Sequence, residues 1–233
     1  MNDFFTQYFI YILSFAIVMI AQSRVQAAYQ KYKAVRNENG ITGFQTARKI
    51  LDANGLQNIQ IELSNGGVLS DHYDPSNHIV RLSSEVYNGT SIASVSVAAH
   101  EVGHAIQHKE HYGAIGLRNR LLPLASIASR MGWLILFVGL FLFATTPLIL
   151  YIGIALILVI LLFQIATLPI EFNASNRAIK QLSGMSLIRE EETPMVKGML
   201  NAAAFTYVAA VLSTIAQLLR ILLIVFSNRR NNN

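Results

Sequence analysis

The sequence contains no cysteine, and this absence excludes disulfide bonds and metal sites built from thiolates. Charged residues are also scarce: they make up 13% of the chain, whereas soluble domains carry about 25%. Hydrophobic residues, in contrast, account for 53% of the 233 residues. This composition argues against a water-soluble enzyme and indicates a protein of the lipid bilayer.

The charged residues leave one long gap in the second half of the chain. No Asp, Glu, Lys or Arg occurs in residues 131–170. A helix of that length would extend about 60 Å, which is two passages through a hydrocarbon core about 30 Å thick. Residues 144–147, Ala-Thr-Thr-Pro, are typical of a turn. We therefore expect a transmembrane hairpin over residues 131–168.

Two more segments are apolar and long enough to cross a bilayer. Residues 4–21 are expected to be a retained anchor, because the basic start and the small-residue cleavage site of a signal peptide are not convincing here. Residues 202–226 contain one charge, Arg220, near enough to the end of the segment to snorkel to the interface. Together with the hairpin, these segments predict a multi-pass protein of the cell membrane.

The distribution of basic residues predicts an orientation. Of the 18 Lys and Arg, 11 lie between Arg24 and Arg130 and 4 between Arg177 and Lys197. Loops rich in Lys and Arg stay in the cytoplasm, so both polar stretches are expected there. The net charge of +5 could also suit nucleic acid, but this distribution favours a membrane signal, and no nucleic-acid partner is expected.

The polar stretch over residues 24–130 is expected to be the catalytic region, a small α+β domain. Thr42 and Gln45 form a capping box, which predicts a helix over residues 43–53. A longer helix is predicted over residues 91–111. The other expected elements are a helix at 24–37, strands at 59–63 and 79–82, a polar loop at 71–75, a helix at 169–200 that carries a metal ligand, and a disordered tail at 228–233.

The predicted helix at 91–111 contains His100, Glu101 and His104 in the pattern H-E-x-x-H. Residues four apart lie on one helix face, about 6 Å from each other, so both imidazoles can bind one zinc ion. Glu101 projects to one side and is suited to accept a proton from a water that zinc activates. The pattern is short and also occurs by chance, but the helix has a separate apolar face for packing, which favours a catalytic metal site.

Zinc needs a third protein ligand. His108 continues the spacing but is roughly 12 Å from His100 along the helix, too far for one ion. Gln107 and Glu110 stand where the metzincin pattern requires Gly and His, which argues against that class. Glu171 is the first charge after the gap and, taken alone, suits a carboxylate at the membrane surface. A hairpin returns the chain to the side it left, however, and then Glu171 can complete a gluzincin-like site.

Four stretches give a resemblance to a known family: residues 71–75 (DHYDP), 98–108 (AAHEVGHAIQH), 168–175 (LPIEFNAS) and 201–210 (NAAAFTYVAA). Along nearly its whole length the chain resembles the YugP-like neutral zinc metallopeptidases of bacterial membranes. This resemblance implies zinc-dependent peptidase activity in the cell membrane. The expected fold class is a mainly α integral membrane protein with about four transmembrane helices and a small α+β, gluzincin-like zinc peptidase domain.

The order of elements is also similar, more distantly, to the heat-shock-type and prenyl-protein-type membrane endopeptidases. In those enzymes an aspartate four residues after the glutamate supports a zinc-binding histidine. Here that position holds Ser175, whose hydroxyl can orient an imidazole but raises its basicity less. Asn173 and Asn176 are further candidates for this supporting role.

Two elements are candidates for substrate handling. His72 or Tyr73 could donate a hydrogen bond to the oxyanion of the transition state. For His72, a hydrogen bond that fixes its own loop is an equally good interpretation. The strand formed by Ile79, Val80, Arg81 and Leu82 is expected to pair with an extended substrate by strand addition.

The sequence thus predicts a membrane-embedded, zinc-dependent endopeptidase with Zn²⁺ as cofactor and Glu101 as general base. The expected partners are peptide or protein substrates, membrane proteins among them, and the lipid bilayer. One alternative is a zinc-binding membrane scaffold or chaperone without catalysis, which would not need Glu101. Another is a transporter or channel in which Arg220 is a functional intramembrane charge.

Overall fold

Helices form most of the chain. The structure is a computed structural model and describes residues 2–67, 70–143 and 145–231. Within these residues the α-helices are α1 (Asn2–Lys33), α2 (Gly43–Ala53), α3 (Ser84–Asn88), α4 (Ile92–Lys109), α5 (Gly113–Phe141), α6 (Pro147–Gly184) and α7 (Thr193–Asn231). A short 3₁₀ helix lies at Glu190–Glu192. The strands are β1 (Gln60–Leu63), β2 (His72–Asp74) and β3 (Ile79–Leu82). The chain divides into two compact units, one of residues 1–22, 116–168 and 206–233 and the other of residues 23–115 and 169–205.

Within the part of the chain that the structure describes, four helical segments are long and apolar enough to cross a membrane: Tyr8–Lys33, Gly113–Phe141, Pro147–Gly184 and Glu190–Val225. With the small sheet, they confirm the expected fold class, a mainly α membrane protein with about four spanning helices.

In the last segment the guanidinium of Arg220 lies over the ring of Tyr11, 5.2 Å from its centroid. This cation–π contact gives the charge a favourable partner and requires no transport role.

The first unit contains the hairpin of α5 and α6. Its core is formed by Leu136, Leu150, Ile157, Leu218, Ile221 and Val225. A Cβ added at Gly139 would lie 2.5 Å from the backbone of Leu150, and one at Gly153 would lie 2.5 Å from Cα of Leu136. Small residues allow such close approach between membrane helices. The two backbones therefore pack directly against each other.

The second unit is built on a three-stranded sheet with the strand order β1-β3-β2. β1 pairs with β3 in parallel, and β2 pairs with β3 antiparallel, with Tyr73 opposite Val80. The capping box of Thr42 and Gln45 is present at the start of α2, which confirms the helix predicted there. The core of this unit comes from α2, α4, the sheet and the later helices: its fully buried members include Ile50, Leu51, Val80, Leu82, Ile92, Val102 and Leu182.

The predicted role of β3 is wrong. Ile79–Leu82 forms the strand that was expected, but this strand is the central one and is paired on both sides. Because its backbone hydrogen bonds are already made to β1 and β2, it cannot add a substrate strand. The outer position next to α4 belongs to β2, which occupies part of the expected loop at residues 71–75.

Three expected boundaries also differ from the structure. Glu171 does not begin a separate helix at 169–200, because α6 continues through Pro169 to Gly184; prolines are tolerated in the helices of membrane proteins, where neighbouring groups satisfy the freed carbonyl. The first apolar segment and the following polar helix form one helix, α1. The tail expected to be disordered is helical up to Asn231, and residues 232 and 233 lie outside the described residues.

Candidate metal centre and active site

Helices α4 and α6 bring His100, His104 and Glu171 together in the second unit. Nε2 of His104 lies 3.2 Å from Nε2 of His100. Oε2 of Glu171 lies 3.4 Å from Nε2 of His100 and 3.7 Å from Nε2 of His104. Among the described residues, this is the group of His and carboxylate side chains whose donor atoms converge closely enough for a metal ion.

The three donor atoms fit zinc. Ligands bonded at about 2.0–2.1 Å to a tetrahedral zinc ion lie about 3.3 Å from one another, and the separations of 3.2, 3.4 and 3.7 Å are close to that value. Two neutral imidazoles that point their lone pairs at each other repel unless a cation lies between them. Two histidines and one carboxylate are also a usual protein ligand set of catalytic zinc.

Close packing of the two helices positions these ligands. The side chain of Ser91 caps α4 by accepting a hydrogen bond from the backbone N–H of Ser94. Where α4 passes α6, residue 103 is glycine, and a Cβ there would lie 2.7 Å from the carbonyl oxygen of Ala174. Gly103, inside the H-E-x-x-H pattern, therefore lets the backbone of α6 come close enough for Glu171 to join the histidines.

The electrostatics of the site favour a cation. Glu101 and Glu171 are each only 9% exposed. Burial by itself lowers the pKa of His104, but hydrogen bonding to Glu171 and the nearby charge of Glu101 outweigh it and hold that pKa above its ordinary value. Two buried carboxylates beside an imidazole thus stabilise positive charge at this point.

Glu101 is held by the sheet. The backbone N–H of Tyr73, in β2, donates a hydrogen bond of 3.1 Å to Oε2 of Glu101. Burial raises the pKa of the nearby Asp71, the charge of Glu101 adds to the rise, and hydrogen bonds from Ser83 oppose it. Asp71 accepts these bonds from the N–H and the hydroxyl of Ser83, which fixes the start of β2 beside β3.

Two side chains contact the outer nitrogens of the histidines. Oγ of Ser175 lies 3.2 Å from Nδ1 of His100, at the position where the sequence places a supporting group. Oε1 of Gln107 lies 3.0 Å from Nδ1 of His104. The sequence singles out Gln107 only as a mismatch to the metzincin pattern and does not predict this contact. The available signal was its spacing, three residues after His104 on the same helix face.

The two asparagines near Glu171 behave differently. Asn173 accepts hydrogen bonds from Gln107 (3.0 Å) and from Arg177 (2.7 Å), so it supports the site indirectly. Asn176 is exposed, and the structure shows no contact between it and the histidines among the described residues. Ser175 and Asn173 are therefore the members of the predicted set that α6 directs toward α4.

The structure does not bring the side chains of His72 and Tyr73 to the metal group. Nδ1 of the exposed His72 ring lies 2.8 Å from the carbonyl oxygen of Ser70. This contact agrees with the interpretation that His72 fixes its own loop. The hydroxyl of Tyr73 lies 3.0 Å from Nδ1 of His108. His108 is accordingly bound to β2 and lies outside the group of converging ligand atoms, so what Tyr73 contributes to the site is its backbone N–H.

Comparison with known proteins agrees with this geometry. The family model described as "Putative neutral zinc metallopeptidase" matches residues 7–226. The protein named "Putative membrane protease YugP" of Bacillus subtilis (strain 168) is 44% identical over 224 residues, which cover 96% of this chain and 98% of that protein. No solved structure matches the chain.

Proposed function

Because this chain belongs to the neutral zinc metallopeptidase family, we propose that it is a membrane-embedded, zinc-dependent endopeptidase of the gluzincin type. The observation that carries the proposal is the convergence of His100, His104 and Glu171 next to a buried Glu101. Three protein ligands leave one coordination position open, as in catalytic zinc sites, whereas structural zinc sites are closed by four. That difference favours an enzyme over the non-catalytic scaffold.

His100, His104 and Glu171 would hold the metal. When bound there, zinc supplies Lewis acidity, which activates a water and polarises the carbonyl of the scissile bond. Glu101 serves as general base. Its Oε2 is engaged by the N–H of Tyr73, and no hydrogen bond to Oε1 is made by the residues that the structure describes. Oε1 is thus available to accept a proton from the water and to deliver it to the leaving amine nitrogen.

The outer edge of β2 is the proposed binding place for an extended substrate. In an antiparallel pair, residues alternate between bonding the partner strand and facing away from it. Tyr73 faces away from β3, since its N–H points to Glu101. Its carbonyl is then directed to the same outer edge, where a substrate N–H can bond to it. In this proposal the edge of β2 has the role that was predicted for β3.

The proposed location is the cell membrane, with the catalytic unit on the cytoplasmic face. The four apolar helices support a multi-pass protein, and the concentration of Lys and Arg in the polar stretches supports the orientation. The substrates proposed for this site are peptides and proteins, membrane proteins among them, because an enzyme anchored by several helices acts close to the bilayer.

The test is the substitution Glu101→Gln in protein purified in detergent, with metal content and cleavage of casein as the two readouts. The amide keeps the shape of the side chain but cannot accept the proton. We expect the wild type to cleave, to lose activity with a chelator and to regain it with zinc. The variant should keep its zinc and lose activity by about 10²-fold or more.

Glu62→Gln, in an exposed ion pair of β1, is the control and should stay active. A zinc-loaded wild type without activity would favour the scaffold instead.

A further inference from the structure

Gln107 is fully buried at 0% exposure, next to the metal group. An amide costs free energy when it is removed from water, unless its hydrogen bonds are replaced. Here they are replaced: Oε1 lies 3.0 Å from Nδ1 of His104, and Nε2 lies 2.8 Å from the carbonyl oxygen of Ile170 and 3.0 Å from Oδ1 of Asn173. The amide therefore joins one histidine of α4 to the turn of α6 that contains Glu171.

The partners of this amide fix its orientation. A backbone carbonyl can only accept hydrogen bonds, so the group facing Ile170 must be the NH₂ of Gln107. Asn173 also presents an acceptor, because its Oδ1 takes a hydrogen bond from Nε of Arg177, which can only donate. With the NH₂ directed at α6, the carbonyl oxygen of Gln107 has to face His104.

The orientation of Gln107 in turn fixes the tautomer of His104. An amide oxygen is an acceptor, so Nδ1 of His104 must carry the hydrogen. Neutral imidazole has one N–H, and Nε2 is then left with its lone pair, directed at His100 and Glu171. This is the form of histidine that binds a metal. The carbonyl of Ile170 therefore selects the metal-binding tautomer of His104 through one glutamine.

His100 is held differently. Its Nδ1 contacts Oγ of Ser175, and a hydroxyl can either donate or accept a hydrogen bond. This contact orients the ring but does not select a tautomer. The two histidines of the H-E-x-x-H pattern are thus supported unequally.

We propose that Gln107 is the positioning residue of the metal site, which holds His104 in its metal-binding tautomer and links it to the helix that carries Glu171. The proposal rests on the proposed function, because it presupposes a metal at this cluster. Arg177 extends the same arrangement to the surface: it fixes Asn173 and pairs with Glu110 at 2.6 Å. Outer hydrogen bonds of this kind set ligand orientation, and their loss weakens metal binding.

The experiment measures zinc affinity by competition with a chelator in the detergent-purified full chain. Gln107→Leu removes both the acceptor and the donor, and Gln107→Glu keeps an acceptor for Nδ1–H but loses the donor to Ile170. Gln181→Leu is the control: it removes a partly buried amide on α6, one that exchanges hydrogen bonds with Asn54 at 3.2 and 3.3 Å and lies outside the metal group. Visible spectra of the cobalt-substituted proteins report the coordination geometry, and thermal melting of the metal-free proteins reports folding.

We expect Gln107→Leu to weaken zinc binding by about 10- to 100-fold and to change the cobalt spectrum. Gln107→Glu should weaken it by a smaller factor, because the acceptor for Nδ1–H remains while the donor to Ile170 is lost. Gln181→Leu should leave the zinc affinity and the cobalt spectrum unchanged, although the variant should melt at a lower temperature. Ser175→Ala should weaken zinc binding less than Gln107→Leu does.

Wild-type affinity in Gln107→Leu would overturn the proposal. So would an equal loss in Gln107→Leu and Gln107→Glu, because the acceptor that Gln107→Glu keeps for Nδ1 of His104 would then contribute nothing. A wild type that binds no zinc refutes the proposed function before any variant is compared. A wild type that binds zinc but cleaves nothing refutes only the enzyme, since the affinities of the variants still decide the role of Gln107.

Discussion

The backbone N–H of Tyr73 lies 3.1 Å from Oε2 of Glu101, so that the outer strand of the sheet contacts the carboxylate next to the histidine pair. This bond occupies one oxygen of Glu101. It also directs the free edge of β2 along the site, where the carbonyl of Tyr73 is the group left to bond a substrate.

This arrangement predicts that substrate binding depends on one main-chain N–H outside the scissile bond. In a set of peptides each methylated at a single backbone nitrogen, we expect one member to show a KM about 10-fold higher with little change in kcat, because one hydrogen bond to β2 is lost. Unmethylated peptide is the reference. If every methylated peptide keeps the KM of the reference, the substrate does not pair with this strand.

Zinc retention should distinguish Glu171 from His108. Replacing Glu171 by Ala leaves two imidazoles and water, a poor zinc site, so the purified variant should lose most of its metal. His108→Ala removes a contact with Tyr73 and no ligand, so its zinc content should match the wild type. The metal content of both variants in the same detergent is the measurement. The opposite pattern would refute the ligand assignment, and thermal melting shows whether each variant is folded.

Gly103→Ala should disturb the site through the backbone. The added Cβ would lie 2.7 Å from the carbonyl oxygen of Ala174, so α6 must move away from α4 and take Glu171 and Ser175 with it. We expect a loss of stability of about 1–3 kcal/mol and weaker zinc binding. Gly184→Ala is the matched control on α6, since nothing lies within 4 Å of a Cβ there. Normal zinc binding in Gly103→Ala would show that the close approach is not needed.

The orientation can be tested with single cysteines, because the natural sequence has none. Gln57→Cys lies on the exposed surface of the catalytic unit, and Thr146→Cys lies at the exposed turn between α5 and α6. In intact cells an impermeant thiol reagent should label Thr146→Cys and leave Gln57→Cys unlabelled until the cells are opened. Labelling of Gln57→Cys in intact cells would reverse the proposed orientation.

Some features followed from local sequence. The capping box of Thr42 and Gln45 predicted α2, and the apolar pattern predicted α4. The ends of both helices were predicted within two residues, because capping and periodicity depend on residues within a turn or two of each other. The 40 uncharged residues from 131 to 170 predicted two spans, because bilayer thickness fixes the length of each. The side-chain direction of Tyr73 was harder to predict, because its hydroxyl contacts His108, 35 residues further along the chain.

The sequence by itself determined the H-E-x-x-H spacing of His100 and His104 and the apolar segments, since both depend on residues that are neighbours in the chain. Only the tertiary structure decided that β3 is central and β2 is the outer strand, because strand order is a choice among pairings with no local signal. It also decided the partner of Gln107, whose buried amide faces Ile170, 63 residues away. A buried polar group must find its partners wherever packing places them, and a pattern within one helix cannot specify that position.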